Sequence, residues 1–174
     1  NPDLSKELYA ADGNGTNHRQ LSDTLTGSSF DPDLTPDGNR VVVNQGIGEK
    51  ATIWVLTPGG VPTQLTTEGR ENLVAVSPDG KDVLYTSNRT GKSDVWVVPI
   101  DGGTPRQLTR EVRDDWEPTY SPDGRWVVAE RVRTAKTSGG RALGADETPF
   151  RMGVTVDTVV QLAPLMPAID IVVA

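Results

Sequence analysis

Short apolar runs recur along the chain, each bounded by polar clusters rich in Gly, Pro, Asp, Asn and Ser. One set comprises Val41-Val42-Val43, Val83-Leu84-Tyr85 and Trp126-Val127-Val128. A second set carries an aromatic residue, as in Asp94-Val95-Trp96-Val97-Val98. β-Branched and aromatic residues fit the pleated, half-buried surface of a sheet, so these runs predict short strands joined by tight turns.

The pattern repeats. The turn Thr35-Pro36-Asp37-Gly38 returns as Ser77-Pro78-Asp79-Gly80 and Ser121-Pro122-Asp123-Gly124, its prolines 42 and 44 residues apart. The strand end Gln20-Leu21-Ser22 returns as Gln64-Leu65-Thr66 and Gln107-Leu108-Thr109, its glutamines 44 and 43 residues apart. Tyr9, Trp54 and Trp96 mark a third anchor, stepping by 45 and 42. Each unit reads as four strands, and a four-strand unit of this length predicts a β-propeller blade. In the Pro-Asp-Gly turn, Pro presets φ, Ser or Thr bonds locally, and Gly takes the conformation of the hairpin exit. The Asp in each turn is therefore read as structural. The Asp101-Gly102-Gly103 turn supplies the positive φ a tight hairpin needs.

The succession Ser-Pro-Asp-Gly, apolar strand, Ser-x-Arg-x-Gly-x-x-Asp, aromatic strand, Asp-Gly-Gly, Arg-Gln-Leu-Thr resembles the TolB-like propeller repeat, also called the PD40 or WD40-like repeat. Its best copy is Ser77 to Thr109. The copy from Thr35 to Thr66 is looser, because Asn44-Gln45-Gly46-Ile47-Gly48 lacks the Arg and the Asp of the middle loop. The resemblance covers about residues 4–132. It implies an all-β fold of four-stranded antiparallel blades, about three blade equivalents, belonging to a ring expected to have six. Residues 1–132 form the propeller portion, starting in mid-blade at Glu7-Leu8-Tyr9-Ala10. Residues 133–174 depart from the pattern and read as a degenerate blade or linker, with a strand suggested at 152–156 and no assignment for 159–165. A homodimer of two such chains would close a six-bladed ring.

Composition narrows the function. Hydrophobic residues make 35% and charged residues 24% of the 174, as in a globular domain. The net charge of −7 and the lack of a Lys/Arg cluster argue against a nucleic-acid partner. No cysteine is present, which excludes disulfides, thiolate metal sites and a thiol nucleophile. The tail from Val154 to Ala174 is broken by Asp157, Pro164, Pro167 and Asp170, so membrane insertion is not expected. No leader segment is visible. The resemblance, not the sequence itself, implies a periplasmic or extracellular protein.

Candidate chemistry is sparse. His18 is the one histidine, in the polar hairpin Asn14-Gly15-Thr16-Asn17-His18-Arg19, and no Gly-x-Ser-x-Gly elbow exists. No catalytic residue and no cofactor are therefore expected. The densest oxygen-ligand cluster is Asp114-Asp115-Trp116-Glu117, where Ca²⁺ is the cation to weigh against a solvated loop. Asp115 and Glu117 stand two apart, which on a regular strand directs both to one face. Tyr9, Trp54 and Trp96 read as packing between blades. Arg89 and Asp94 bracket the middle loop as an expected ion pair, worth under about 1 kcal/mol if exposed. The loops between blades (Ser22–Ser29, Thr66–Asn72 and Thr109–Trp116) shape one rim. On it, Arg70, Glu71, Arg113, Asp114, Asp115 and Trp116 are the expected contacts for a protein partner. This favours a non-catalytic interaction module. The alternatives are the propeller of a prolyl-oligopeptidase-type peptidase or of a lyase, and the sensor domain of a receptor.

Overall fold

A computed structural model of the chain describes residues 7–21, 28–47, 50–110, 112–131 and 159–160. Among these residues every regular element is a strand. In chain order they are β1 (Tyr9–Ala10), β2 (Arg19–Gln20), β3 (Ser28–Leu34), β4 (Val41–Ile47), β5 (Lys50–Leu56), β6 (Thr63–Gln64), β7 (Glu71–Val76), β8 (Asp82–Ser87), β9 (Asp94–Pro99), β10 (Arg106–Gln107), β11 (Asp115–Tyr120), β12 (Val127–Arg131) and β13 (Val159–Val160). β3-β4-β5-β6 and β7-β8-β9-β10 are antiparallel meanders of four strands, the expected blades. β1 and β2 pair with each other in the third and fourth places of a blade. β11 and β12 take the first two places of another, and β13 adds to β12 through Val127↔Val160 and Val128↔Val159. The expected strand at 152–156 lies outside the described residues.

The continuous valine runs have a packing reason. Alternate residues of a strand face opposite sides, so a run that is apolar at every position suits a sheet covered on both faces. Val42, Ile53, Val55 and Leu65 of the first complete blade pack on Val83, Tyr85, Val98 and Ile100 of the second. Val41, Val43 and Leu56 turn the other way, toward Leu8, Leu21 and Trp54. Leu84, Val95 and Val97 meet Val127 and Ala129 of the next sheet. Each blade is thus a slab between two apolar layers. Trp54 and Trp96 are half-buried against these layers. Tyr9 departs from the expectation: it is exposed, and its hydroxyl donates to Gln20 Oε1 at 3.4 Å.

All three Pro-Asp-Gly turns are built alike. The hydroxyl of Thr35, Ser77 or Ser121 donates to Asp37, Asp79 or Asp123 at 2.5, 2.7 and 2.6 Å. The same hydroxyl oxygen accepts the N–H of Arg40, Asp82 or Trp126 as the next strand begins. The hydrogen bond to the hydroxyl holds each of these carboxyls below its ordinary value, Asp37 at about 2. That is the structural role read from the sequence.

The turns also stack from one sheet to the next. A Cβ on Gly80 would lie 3.3 Å from Pro36 Cδ, and one on Gly124 would lie 3.6 Å from Pro78 Cδ. Arg40 of one blade reaches Asp101 of the next at 2.6 Å on the same rim. Gly80 and Gly38 share the left-handed region (φ 72° and 70°), but nothing lies near a Cβ on Gly38. Gly38→Ala should therefore cost about 1–2 kcal/mol, the backbone penalty alone. Gly80→Ala should cost more, because Pro36 must also move. Chemical denaturation of the two variants checks this; equal losses would refute the blade-to-blade contact.

Candidate functional site

At the rim opposite the Pro-Asp-Gly turns, the first strands β3, β7 and β11 of the three larger sheets are irregular in the same way. The ladder slips between Phe30 and Asp33, between Asn72 and Ala75, and between Trp116 and Thr119. At each slip one non-glycine residue takes a left-handed backbone: Asp31 (φ 45°), Leu73 (φ 56°) and Glu117 (φ 49°). Such a conformation costs about 1–2 kcal/mol outside glycine. A β-bulge that recurs at one place in successive sheets is a built feature that re-aims side chains.

These bulges shape a cavity of about 310 Å³ at the rim. Asp31, Asn72 and Leu73 line it from the bulges, together with half-buried Trp116. Arg70, Asn88 and Ser93 complete it from the loops. Arg70 and Trp116, expected from the sequence, thus stand together. Arg113 is exposed on the neighbouring rim loop and does not line the cavity. Asp114 is half-buried, and its Oδ1 accepts the Ser93 N–H at 2.8 Å, so it braces the wall.

Glu71 and Asp115 correct the expectation. Both are fully buried, at 0% and 1% exposure, so neither can meet a partner at the surface. Each opens a first strand and points inward to an arginine. Arg131 grips Asp115 with both Nε (2.7 Å) and Nη2 (3.1 Å), the paired geometry that makes arginine–carboxylate bonds strong. Glu71 accepts hydrogen bonds from Thr66 Oγ1 and Arg89 Nη2. The bulge at Glu117 also overturns the shared face expected for Asp115 and Glu117: the first is buried and the second exposed. In the Asp114–Glu117 cluster weighed for Ca²⁺, Asp115 is engaged by Arg131 and Asp114 Oδ1 by the Ser93 N–H. Among the described residues no group of three or more His, Asp or Glu is arranged to hold a metal ion.

The expected Arg89–Asp94 pair is not formed. β9 lies between β8 and β10, and Asp94 turns to the β10 side, where it accepts from Gln107 Nε2 at 2.9 Å. Thr90 Oγ1 (2.7 Å) and Lys92 Nζ complete its shell. Arg89 leaves β8 toward β7 and meets Glu71. Its guanidinium lies 4.5 Å from the Trp96 ring centre and 5.7 Å from that of Tyr85, within cation–π range. Burial pushes the Glu71 carboxyl up to about 7, outweighing the lowering effect of Arg89. Burial likewise raises the Tyr85 phenol.

This buried cluster fixes the loop that carries Arg70. Arg89 Nη2 donates to the Glu68 carbonyl at 3.3 Å, and the Arg70 N–H donates to Asn88 Oδ1 at 2.9 Å. Gly69, at φ 84°, lies so close that a Cβ there would be 2.8 Å from Ser87 Oγ and 3.2 Å from Arg89 Cβ. Among the site's residues, Asp31, Asn72, Leu73, Asn88 and Ser93 were not singled out from the sequence. A signal for the bulges existed: Pro32 and Pro118 follow two of the left-handed residues, and proline inside a strand marks an edge or a bulge. His18 sits exposed in the first hairpin, 2.7 Å from the Gly15 carbonyl.

The profile of the TolB beta propeller domain family (PD40) matches residues 5–141. A solved structure assigned as TolB from Agrobacterium tumefaciens superposes with a TM-score of 0.68 and 28% identity, over 74% of this chain and 46% of its own. The protein TolB homolog of Chlorobium chlorochromatii is 29% identical over 74% of this chain and 29% of its own length. The Tol-Pal system protein TolB of Francisella tularensis is 25% identical over 65% of this chain and 27% of its own. The chain therefore spans under half of each relative's length. The repeat, the meandering blades and the profile match converge: the chain belongs to the TolB β-propeller family.

Proposed function

We propose that this chain is part of a non-catalytic, periplasmic interaction module that binds a protein partner through the bulged rim. The observation that carries the reading is the convergence of three left-handed bulges beside one cavity, with Arg70 and Trp116 presented there. Strained backbone retained in successive blades fits a surface shaped for recognition. Arginine and tryptophan are the side chains that most often dominate protein interfaces. Glu71 and Asp115 serve this surface indirectly, as buried struts. The relative named for the Tol-Pal system supports Pal as the partner to test first.

The test is calorimetric titration of the full-length parent protein with Pal from the same organism. Arg70→Ala and Trp116→Ala should each weaken binding at least 10-fold, about 1.4 kcal/mol or more. Asp101→Ala, on the opposite rim, should leave it unchanged. Unaltered affinity in both rim variants would refute the assignment.

A further inference from the structure

The rim cavity has an uneven supply of hydrogen-bonding groups. Two carboxamides line it, and the oxygen of each is already occupied from within the protein. Asn88 Oδ1 accepts the Arg70 N–H at 2.9 Å, and Asn72 Oδ1 accepts from Asn44 Nδ2 at 3.4 Å. Asn44 is itself buried and donates from the same nitrogen to the Glu71 carbonyl at 3.4 Å. An amide whose oxygen is engaged presents its NH₂ group to whatever enters. Asp114, bracing the wall, likewise spends Oδ1 on the Ser93 N–H. Arg70 adds a guanidinium that forms no ion pair with any described residue, on a side chain exposed at the cavity mouth. The cavity therefore offers donors from three side chains, beside the half-buried ring of Trp116. The opposing acceptor is Asp31, exposed at the same cavity.

We propose that this cavity accepts a carboxylate carried on an extended segment of the protein partner, held by Arg70 and the Asn72 and Asn88 amides against Trp116. The inference deepens the interaction reading above and rests on it. A guanidinium and two NH₂ groups match a planar acceptor with two oxygens, and arginine binds such a group through paired, charge-assisted bonds. Asp31 is the one carboxylate lining the cavity, so a cationic side chain meets a single counter-charge there and Arg70 opposes it. Asp31, exposed at the same cavity, would accept an N–H from the backbone of the segment, so an extended chain would satisfy both sides of the cavity at once. The carboxylate has two sources, an Asp or Glu side chain or a free C-terminus.

Short peptides separate these cases. The probes are the capped peptide Gly-Ser-Glu-Ser-Gly, the same peptide with Gln in place of Glu, and Gly-Ser-Ser-Gly with a free C-terminus and an acetylated N-terminus. Each is titrated into the full-length protein labelled with 5-fluorotryptophan. The Trp116 fluorine signal is identified as the one lost in Trp116→Phe. At least one carboxylate peptide should shift that signal with a Kd 10-fold or more below that of the Gln peptide, and the peptide that does so names the source. Arg70→Gln should abolish the preference. Equal binding of the acidic and Gln peptides, or a preference that survives Arg70→Gln, would overturn the carboxylate inference. If that happens while Pal binding still depends on Trp116, only this inference falls and the interaction surface stands.

Discussion

Replacing Arg89 with methionine is expected to destabilise the protein by about 1–3 kcal/mol at pH 8, the loss of its charge-assisted hydrogen bonds, because a Glu71 left without its cation takes up a proton. Glu71 has no exposed surface, and Arg89 is the cation that meets it. The variant also loses the stacking on Trp96 and the bond to the Glu68 carbonyl. Methionine keeps much of the apolar stem, so the loss reports the charge and its hydrogen bonds more than the volume. The effect should shrink near pH 5, where Glu71 is neutral and no longer needs a counter-charge. Urea denaturation of both proteins at the two pH values measures this. A loss under about 1 kcal/mol at pH 8 is what an exposed, screened pair would give and would contradict the strut.

The second expectation concerns the native protein. Glu71 titrates near 4.5 when unfolded and near 7 when folded. Between these values the folded state holds a proton that the unfolded state has released, so the proton stabilises the fold. The contribution is complete below pH 4.5 and is lost as pH rises through 7. It amounts to about 3 kcal/mol, since each unit of pKa difference is worth roughly 1.4 kcal/mol. Glu71→Gln is expected to flatten the stability profile across this window. The turn aspartates act with the opposite sign and in another range: their lowered carboxyls lend stability above the ordinary Asp range, lost as pH falls through the depressed values. Thermal unfolding of Glu71→Gln and the parent from pH 4.5 to 8 checks the slope. Parallel profiles would remove the role assigned to Glu71.

What the sequence makes legible is the part of the fold set by local chemistry. Ser77-Pro78-Asp79-Gly80 specifies its own hydrogen bonds, and it forms them in all three copies. Runs such as Val83-Leu84-Tyr85 report burial on both faces whatever covers them. Contacts between distant segments were beyond reach. Arg89 stands five residues from Asp94 and eighteen from Glu71, yet the strand order of the sheet delivers it to Glu71. A similar limit governs Glu71 and Asp115. Their neighbours Arg70 and Trp116 line the cavity, but side chains alternate across a strand, so one residue decides between the surface and the core. The bulges defeat a regular alternation altogether, which is why Asp115 and Glu117 part company. The stacking of Pro36 on Gly80 was equally hidden, because each residue already had a sufficient reason within its own turn.

Hydrogen–deuterium exchange of the full-length protein, with and without Pal, tests the central claim most directly. Binding at the bulged rim predicts protection of residues 69–73, 88–93 and 112–117, with exchange at the Pro-Asp-Gly turns unchanged. Protection confined to residues 36–39, 78–81 and 101–105 would place the partner on the opposite rim and contradict the account.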